Sequence, residues 1–308
     1  MRVHLIDGTY ELFRQHFGQV ARHSEAVPYA ATIGVVASTL QLVSDGATHL
    51  GVASDHVIES FRNDMWPGYK TSAGMDPELL EQIPLMEEAL ISAGFTTWAM
   101  VEYEADDALG AAAAVADADQ RVTQVMIVTP DKDLGQSVRG TRVVQFDRRK
   151  GEIIDEAAVT AKFGVGPGSI ADYLALVGDT ADGFPGLAGW GAKSAATVLA
   201  KFGSITDIPA SSGDWGLPAL RGAEKLAVTL RDNLELALLF RRIATIEVDV
   251  PVGEVDDWRW QGPTDGFAAI CDSLGAPHLV ERAERLANEL DPPTEVTARL
   301  PAAHKRYR

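Results

Sequence analysis

The chain has a single cysteine, Cys271, which excludes an intrachain disulfide and suits a reducing cytoplasm. Its seven histidines show none of the close pairing that suggests zinc. Positive charge is scarce: 27 Lys and Arg stand against 44 Asp and Glu, giving a net charge of −17 and a pI near 4.8. That balance argues against the broad basic surface of most nucleic-acid binders. No apolar run approaches the length of a membrane span, so no membrane partner is expected. The opening MRVHLIDGTY reaches acidic and polar residues too soon for a secretory leader. There is no long repeat and no extended low-complexity segment. What is present is 308 residues, 46% of them hydrophobic, enough for one large domain or two small ones with a substantial core.

Hydrophobic patterning divides the chain. Strands are expected at Arg2–Ile6, Thr48–Ala53, Phe95–Val101 and Val125–Thr129, the last apolar and rich in β-branched residues. Arg142–Phe146 and Glu152–Ile154 flank a turn at Arg149–Gly151. Helical periodicity covers Tyr29–Val43, the stretch from Pro77 to Gly94, and Asp106–Val115. Alternating strands and helices predict an α/β fold, a mostly parallel sheet flanked by helices. From about Gly166 the pattern turns helical, with Ala171–Val177, Ala192–Phe202, Leu217–Ile243 and Phe267 to about Leu290 as candidate helices. The expected division is a core over 1–165, a helical region over 166–290, and a mobile tail over 291–308.

The acids are ordered along this pattern. Asp7, Asp55 and Asp131 each follow a predicted strand by one or two residues, and Asp133 follows Asp131. Glu104, Asp106 and Asp107 follow a strand and open a helix, while Asp179 and Asp182 lie further on. Each group alone has an ordinary explanation. The Glu104 triplet suits a helix N-terminus, Asp131 a cap, and Asp179-Thr-Ala-Asp182 a polar turn. Jointly they do something more, because ligands in open α/β sheets bind beyond the carboxyl ends of the strands. Several carboxylates at one edge, without matching bases, imply divalent cations. All-oxygen ligands favour Mg²⁺, Mn²⁺ or Ca²⁺. The number of acids suggests two ions, which about 4 Å apart can activate water and stabilise a leaving oxygen.

A second signal follows Asp182. The segment Asp182-Gly-Phe-Pro-Gly-Leu-Ala-Gly-Trp-Gly-Ala-Lys-Ser-Ala carries Gly186, Gly189 and Gly191, then a helix beginning near Lys193. Glycines admit a phosphate close to the backbone, and a helix N-terminus offers it free N–H donors. A hairpin with a packing role alone fits equally well. The basic run Arg148–Lys150 reads as a solvated turn.

Taken in order, LIDGTYELFR at 5–14, FRNDMWPGYK at 61–70, YEADDALG at 103–110, IVTPDKDLGQSV at 127–138 and GDTADGFPGLAGWGAKSA at 178–195 resemble the bacterial 5′-nuclease, or flap endonuclease, family, which includes the 5′-exonuclease domain of bacterial DNA polymerase I. The resemblance implies a PIN-like core with a helical arch near 62–92 and a helix–three-turn–helix motif. It implies a first ion on Asp7, Asp55, Glu104 and Asp106, and a second on Asp106, Asp131, Asp133 and Asp179. Asp106 would bridge the two, with Asp107 and Asp182 in outer or water-mediated roles. Tyr69 would stack on an unpaired base, worth roughly 1–3 kcal/mol. Lys70 would contact the scissile phosphate. Arg14 and Arg62 are candidate phosphate contacts or plain surface charge. Gly186, Gly189, Gly191 and Lys193 would grip duplex backbone around a potassium ion held by carbonyls.

Three positions depart from the family's pattern. Ala73 stands where an Arg is common, Pro130 where Gly is usual, and Gly183 where Asn is usual. The chain ends at Arg308 without a polymerase, as a stand-alone form would. The implied activity is Mg²⁺- or Mn²⁺-dependent hydrolysis of phosphodiesters at 5′ flaps, junctions and 5′ ends of DNA or an RNA–DNA hybrid, by a monomeric cytoplasmic protein at the nucleoid. A rival is a protein of the same fold that binds branched DNA without cutting it. Another is a PIN-type ribonuclease, which the duplex-binding segment disfavours. A haloacid-type phosphatase, suggested by Asp7-Gly-Thr, would need an Asp where Leu5 stands.

Overall fold

A computed structural model describes residues 1–20 and 28–290; the expected tail lies outside the described residues. Six strands form one sheet, β1 (Arg2–Asp7), β2 (His49–Asp55), β3 (Thr96–Met100), β4 (Gln124–Val128), β5 (Val143–Asp147) and β6 (Glu152–Ile154). Their spatial order is β3-β2-β1-β4-β5-β6. The first five run parallel and β6 pairs antiparallel with β5. β1 is central, with β2 on one side and β4 on the other, so the connections diverge there. Such a switch point opens a crevice at the carboxyl edge.

One face of the sheet is covered by α1 (Gly8–Val20), α2 (Ala30–Ser44) and α4 (Pro77–Ser92), and the other by α5 (Ala105–Ala118). α4 presents Leu79, Ile83, Met86 and Leu90 to the core, each almost fully buried. The stretch expected to form an arch is therefore the short α3 (Phe61–Met65), a loop over residues 66–76, and a helix that packs against α2. β1 passes into α1 with no intervening turn. This helix is not among those expected, although Leu12 and Phe13 pack into the core on one side of the sheet; its first residue, Gly8, lies close to the sheet backbone. A Cβ on Gly8 would stand 2.8 Å from the Ala53 carbonyl.

A separate apolar core joins α6 (Glu156–Phe163), α7 (Ile170–Val177), α8 (Ala192–Phe202), α9 (Ala223–Asp232) and α10 (Leu234–Ala244). The single helix expected over Leu217–Ile243 divides at Asn233. The chain then returns to the sheet. Residues 246–258 cover α5, where Trp258 meets Trp98 edge-on, and Trp260 stacks on Phe95. α11 (Phe267–Leu274) and α12 (His278–Leu290), divided by the left-handed Gly275, pack on the α2–α4 face. The apolar residues after α10 pack into the two cores on either face of the sheet. Among the described residues no helix is long and apolar enough to cross a membrane.

Candidate metal centre

Local chemistry fixes each acid at the carboxyl edge. Asp7 ends β1; its Oδ1 accepts the Tyr10 N–H at 2.8 Å and its Oδ2 the Thr129 hydroxyl at 3.0 Å. Asp55 ends β2 and accepts the Ala105 N–H at 2.8 Å, while its own N–H donates to the Thr9 hydroxyl. These bonds tie β1 to the loop after β4, and β2 to the start of α5. Asp106 lies in the first turn of α5. Past β4, the Asp131 carbonyl accepts from Gln145 Nε2 at 2.5 Å, and its Oδ1 accepts the Asp133 N–H at 2.9 Å. Asp179 accepts the Ala181 N–H at 3.0 Å in the tight loop that follows α7.

Two sets of three carboxylates result. Asp106, Asp131 and Asp133 offer oxygens within 4.8 Å of one another, as do Asp133, Asp179 and Asp182. Asp133 belongs to both. The family resemblance implies Asp106 as the shared acid and a supporting part for Asp182. Among the described residues, no three of Asp7, Asp55, Glu104 and Asp106 close to that distance. Glu104 is also engaged by neighbouring donors. Its carboxylate receives the Ser60 hydroxyl at 2.6 Å, the Tyr69 hydroxyl at 3.2 Å and Lys70 Nζ at 2.8 Å.

Burial makes these charges costly. Asp106 and Asp133 titrate well above the usual carboxylate range, first because they are buried and next because Asp131 lies beside each. Asp7 is pushed up to about 7 by burial, with Asp55 and Asp131 adding repulsion. Burial also raises Asp55 and Asp182. Glu104 moves the other way, since Lys70 and Arg62 outweigh its burial. Two lysines reach into the edge: Lys70 Nζ lies 3.1 Å from Asp182 Oδ1, and Lys132 Nζ lies 2.5 Å from Asp179 Oδ2. Asp133 Oδ1 is buried without a hydrogen-bond partner. An orphaned carboxylate oxygen among all-oxygen donors fits a hard divalent cation, which would reverse the local repulsion.

Other expected site residues have different work. Asp107 is fully buried and clasped by Arg62 through two bonds of 2.7 Å; it also accepts the N–H groups of Glu104 and Glu247. Arg62 further donates to the carbonyls of Ile243 and Thr245. Neither is free for a metal or a phosphate, because the pair joins α5 and α3 to the end of α10. Tyr69, expected as a stacking platform, is buried in the helical core with its hydroxyl on Glu104. Arg14 is half-exposed and held by Glu11. Gly186 (φ 67°) packs against the backbone of Val177 and Gly178, so it is a packing glycine. Gly189, Gly191 and Lys193 are exposed at the N-terminus of α8. Below them Trp190 is buried, its Nε1 donating to the Leu226 carbonyl.

Sequence reasoning passed over Lys132, although it sits between Asp131 and Asp133. It also passed over Glu87, which bonds the Ser54 hydroxyl and His56 Nδ1, each at 2.6 Å. An acid on the apolar face of α4 was the available signal.

Two family models match the chain: the 5′-3′ exonuclease N-terminal, resolvase-like domain over residues 2–164, and the 5′-3′ exonuclease C-terminal SAM fold over residues 165–266. DNA polymerase I of Bacillus caldotenax is 32% identical over 298 residues, covering 94% of this chain and 33% of that protein. DNA polymerase I of Pseudomonas aeruginosa is 33% identical over 271 residues, covering 86% of this chain and 29% of that protein. The chain thus spans about a third of the length of these curated relatives. Among solved structures, the T5 D15 protein co-crystallised with metal ions superposes with a TM-score of 0.64 at 20% identity, covering 92% of this chain and all of that one. The catalytic core of Rad2 in complex with DNA substrate gives 0.63 at 16% identity, covering 94% and 92%. At these identities the likeness is one of fold.

Proposed function

We propose that this chain, which belongs to the 5′-3′ exonuclease family, is a structure-specific nuclease that hydrolyses DNA phosphodiesters at 5′ flaps, junctions and 5′ ends. The observation that carries this reading is the pair of three-carboxylate sets sharing Asp133, one of which, through Asp179 and Asp182, lies on the loop that runs on to the exposed hairpin of Gly189–Lys193. Relatives point the same way: a T5 D15 flap endonuclease structure holds DNA and metal ions, and Rad2 holds DNA substrate.

Asp106, Asp131, Asp133, Asp179 and Asp182 would hold two Mg²⁺ or Mn²⁺ ions, with Asp7, Asp55 and Glu104 at the same edge supporting them through water. Bound ions there supply Lewis-acid activation of water and charge compensation at the phosphate. The chain's own residues do the rest. Lys70, held between Glu104 and Asp182, aims an ammonium at the edge, where it stabilises charge building on the phosphate. The free N–H groups opening α8 receive a backbone phosphate, with Lys193 beside them and carbonyls that suit a potassium ion. Backbone contacts of this kind position DNA without reading its sequence. We place the activity on chromosomal DNA, or an RNA–DNA hybrid, in the cytoplasm, by a monomer.

The test is cleavage of a 5′-labelled flap duplex in Mg²⁺ and in Mn²⁺, wild type against Asp131→Asn. The expected result is cutting at the flap base by wild type and a loss of more than about 100-fold in the variant, with an unchanged far-UV spectrum. Intact flap with wild type across metals and pH, despite DNA binding, would favour the binding-only reading. Preferential cutting of single-stranded RNA would favour the ribonuclease.

A further inference from the structure

The turn between β5 and β6 holds the basic run Arg148–Lys150, which the metal centre does not use. β5 lies next to β4 and parallel to it, so this turn leaves the sheet at the same edge as Asp131. The bond from Gln145 of β5 to the Asp131 carbonyl ties the two together. Arg148 does not extend into solvent. It folds onto the α1–α2 pair, with Nη2 on the Ser38 carbonyl at 3.2 Å and Nη1 at 3.8 Å from Glu11 Oε2.

Glu11 is almost wholly buried, and Arg14 already occupies it, with Nε at 3.1 Å from Oε1 and Nη2 at 2.6 Å from Oε2. Two guanidinium groups therefore share one carboxylate. Arg148 Nη1 is buried and makes no hydrogen bond. Burial pulls Arg148 below the ordinary arginine range, and Arg14 adds repulsion against the help of Glu11. Asp147, at the base of the turn, is occupied by the N–H groups of Arg149 and Lys150, and the side chains of both are exposed. In a chain of net charge −17, three consecutive basic residues beside Arg14 form a basic cluster with one unfilled guanidinium donor, and Lys150 Nζ lies 3.8 Å from Asp147 Oδ2 and 3.9 Å from Glu152 Oε2. A turn that served only solubility would have no need to hold a second guanidinium against a buried carboxylate already taken.

We infer that Arg148, Arg149 and Lys150, with Arg14, form a second phosphate-binding site, separate from the α8 hairpin, that receives the backbone of the substrate at the carboxyl edge of the sheet. The inference rests on the nuclease reading above. The hairpin belongs to the helical core, whereas Arg14 and Arg148 lie on α1 and α2, whose packing partners are α4, α12 and the sheet. The turn leaves the sheet at the carboxyl edge that carries the acids, so the two phosphate sites would contact the same substrate at separate places. The ligand chemistry is a nucleic-acid phosphodiester, which the single-stranded 5′ flap or an upstream duplex could supply.

The experiment compares wild type, Arg149→Gln/Lys150→Gln and Arg148→Gln, binding in Ca²⁺ to three DNAs: a flap with both duplex arms, the same DNA without the flap, and the same without the upstream duplex. Kd is measured against salt. The expected result is weaker binding by the double variant on the complete substrate. Its slope of log affinity against log salt should be shallower by roughly 0.7 per lost contact for a single strand, or roughly 0.9 for duplex. The deficit should vanish on the DNA lacking whichever arm the site holds. The exposed pair keeps the test independent of folding, which Arg148→Gln could disturb. Equal Kd and equal slope for the double variant and wild type on all three DNAs would overturn the site. Failure of wild type to bind any of them would overturn the nuclease reading itself.

Discussion

Asp107 shows how little a carboxylate's charge says about its task. It stands beside Asp106 in the first turn of α5, yet it points away from the metal edge into a clasp with Arg62. The nearly identical local sequence contexts of the two acids are separated only by the 100° step of the helix. Arg62 is likewise a charge that sequence cannot place, since its partners Ile243 and Thr245 lie far along the chain. Breaking a buried pair leaves an uncompensated charge and costs about 3–5 kcal/mol. Arg62→Ala should therefore lower unfolding free energy by about that amount in urea titration, while Mn²⁺ affinity of the folded protein stays near wild type. A loss below about 1 kcal/mol would mean that the pair is effectively solvated. A large loss of metal affinity would return Asp107 to the metal set.

At the scale of elements, the site depends on two loops whose backbones approach closely at Gly68 and Gly183. Gly183, where the family usually has Asn, has φ 80°, and a Cβ there would stand 2.0 Å from the Gly68 carbonyl. The loops are joined by Lys70 N–H to the Asp182 carbonyl at 3.0 Å and by Trp66 Nε1 to the Gly183 carbonyl at 3.0 Å. Gly183→Asn should part them, because backbone rather than a flexible side chain receives the clash. The expected outcome is a loss of about 1–3 kcal/mol in thermal or urea unfolding, with solvent quenching of Trp66 fluorescence increased. An unchanged stability would show that the loop re-forms with the Asn side chain outside. The strands leading to Asp7, Asp55 and Asp131 were legible, because their apolar runs stop at or shortly before an acid. α9 and α10 were not separable, since apolar spacing continues through Asn233. The division of α11 from α12 was signalled by Gly275 and Pro277. Which acid is shared by both metal sets was not legible, because it depends on how closely the loop after α7 approaches the loop after β4.

For the molecule as a whole, the acidic balance becomes a statement about pH. Without metal, Asp7, Asp55, Asp106, Asp133 and Asp182 all titrate above their ordinary range, Asp7 near 7. Between about pH 4 and 7 the folded chain then binds more protons than the unfolded chain, so stability falls as pH rises through that window. Other groups oppose this, among them Glu59 and Asp119, lowered by hydrogen bonds from Ser72 and Arg121, and His49, lowered by burial. Glu104, lowered by Lys70 and Arg62 despite its burial, gains stability as pH rises above the acid range. His4, held near 4 by burial, does so as pH rises toward 6.5. Above about pH 5.5 the lowered acids are ionised in both states and so contribute no further slope, which leaves His4 and His49 against five raised carboxylates and the sign with the carboxylates. The metal-free protein in EDTA should accordingly lose on the order of a few kcal/mol of unfolding free energy from pH 5.5 to pH 8. Mg²⁺ or Mn²⁺ at pH 8 should restore it, because an ion that binds only the folded state stabilises it in proportion to the logarithm of its concentration over Kd. The same titration on Asp133→Asn separates this cause from general repulsion. Removing the acid common to both sets should flatten the pH dependence and weaken the rescue by metal. A wild-type profile that rises steadily to pH 8 in EDTA would show that the carboxylates are spaced and hydrated well enough to ionise without a cation, and that the edge is not a metal site.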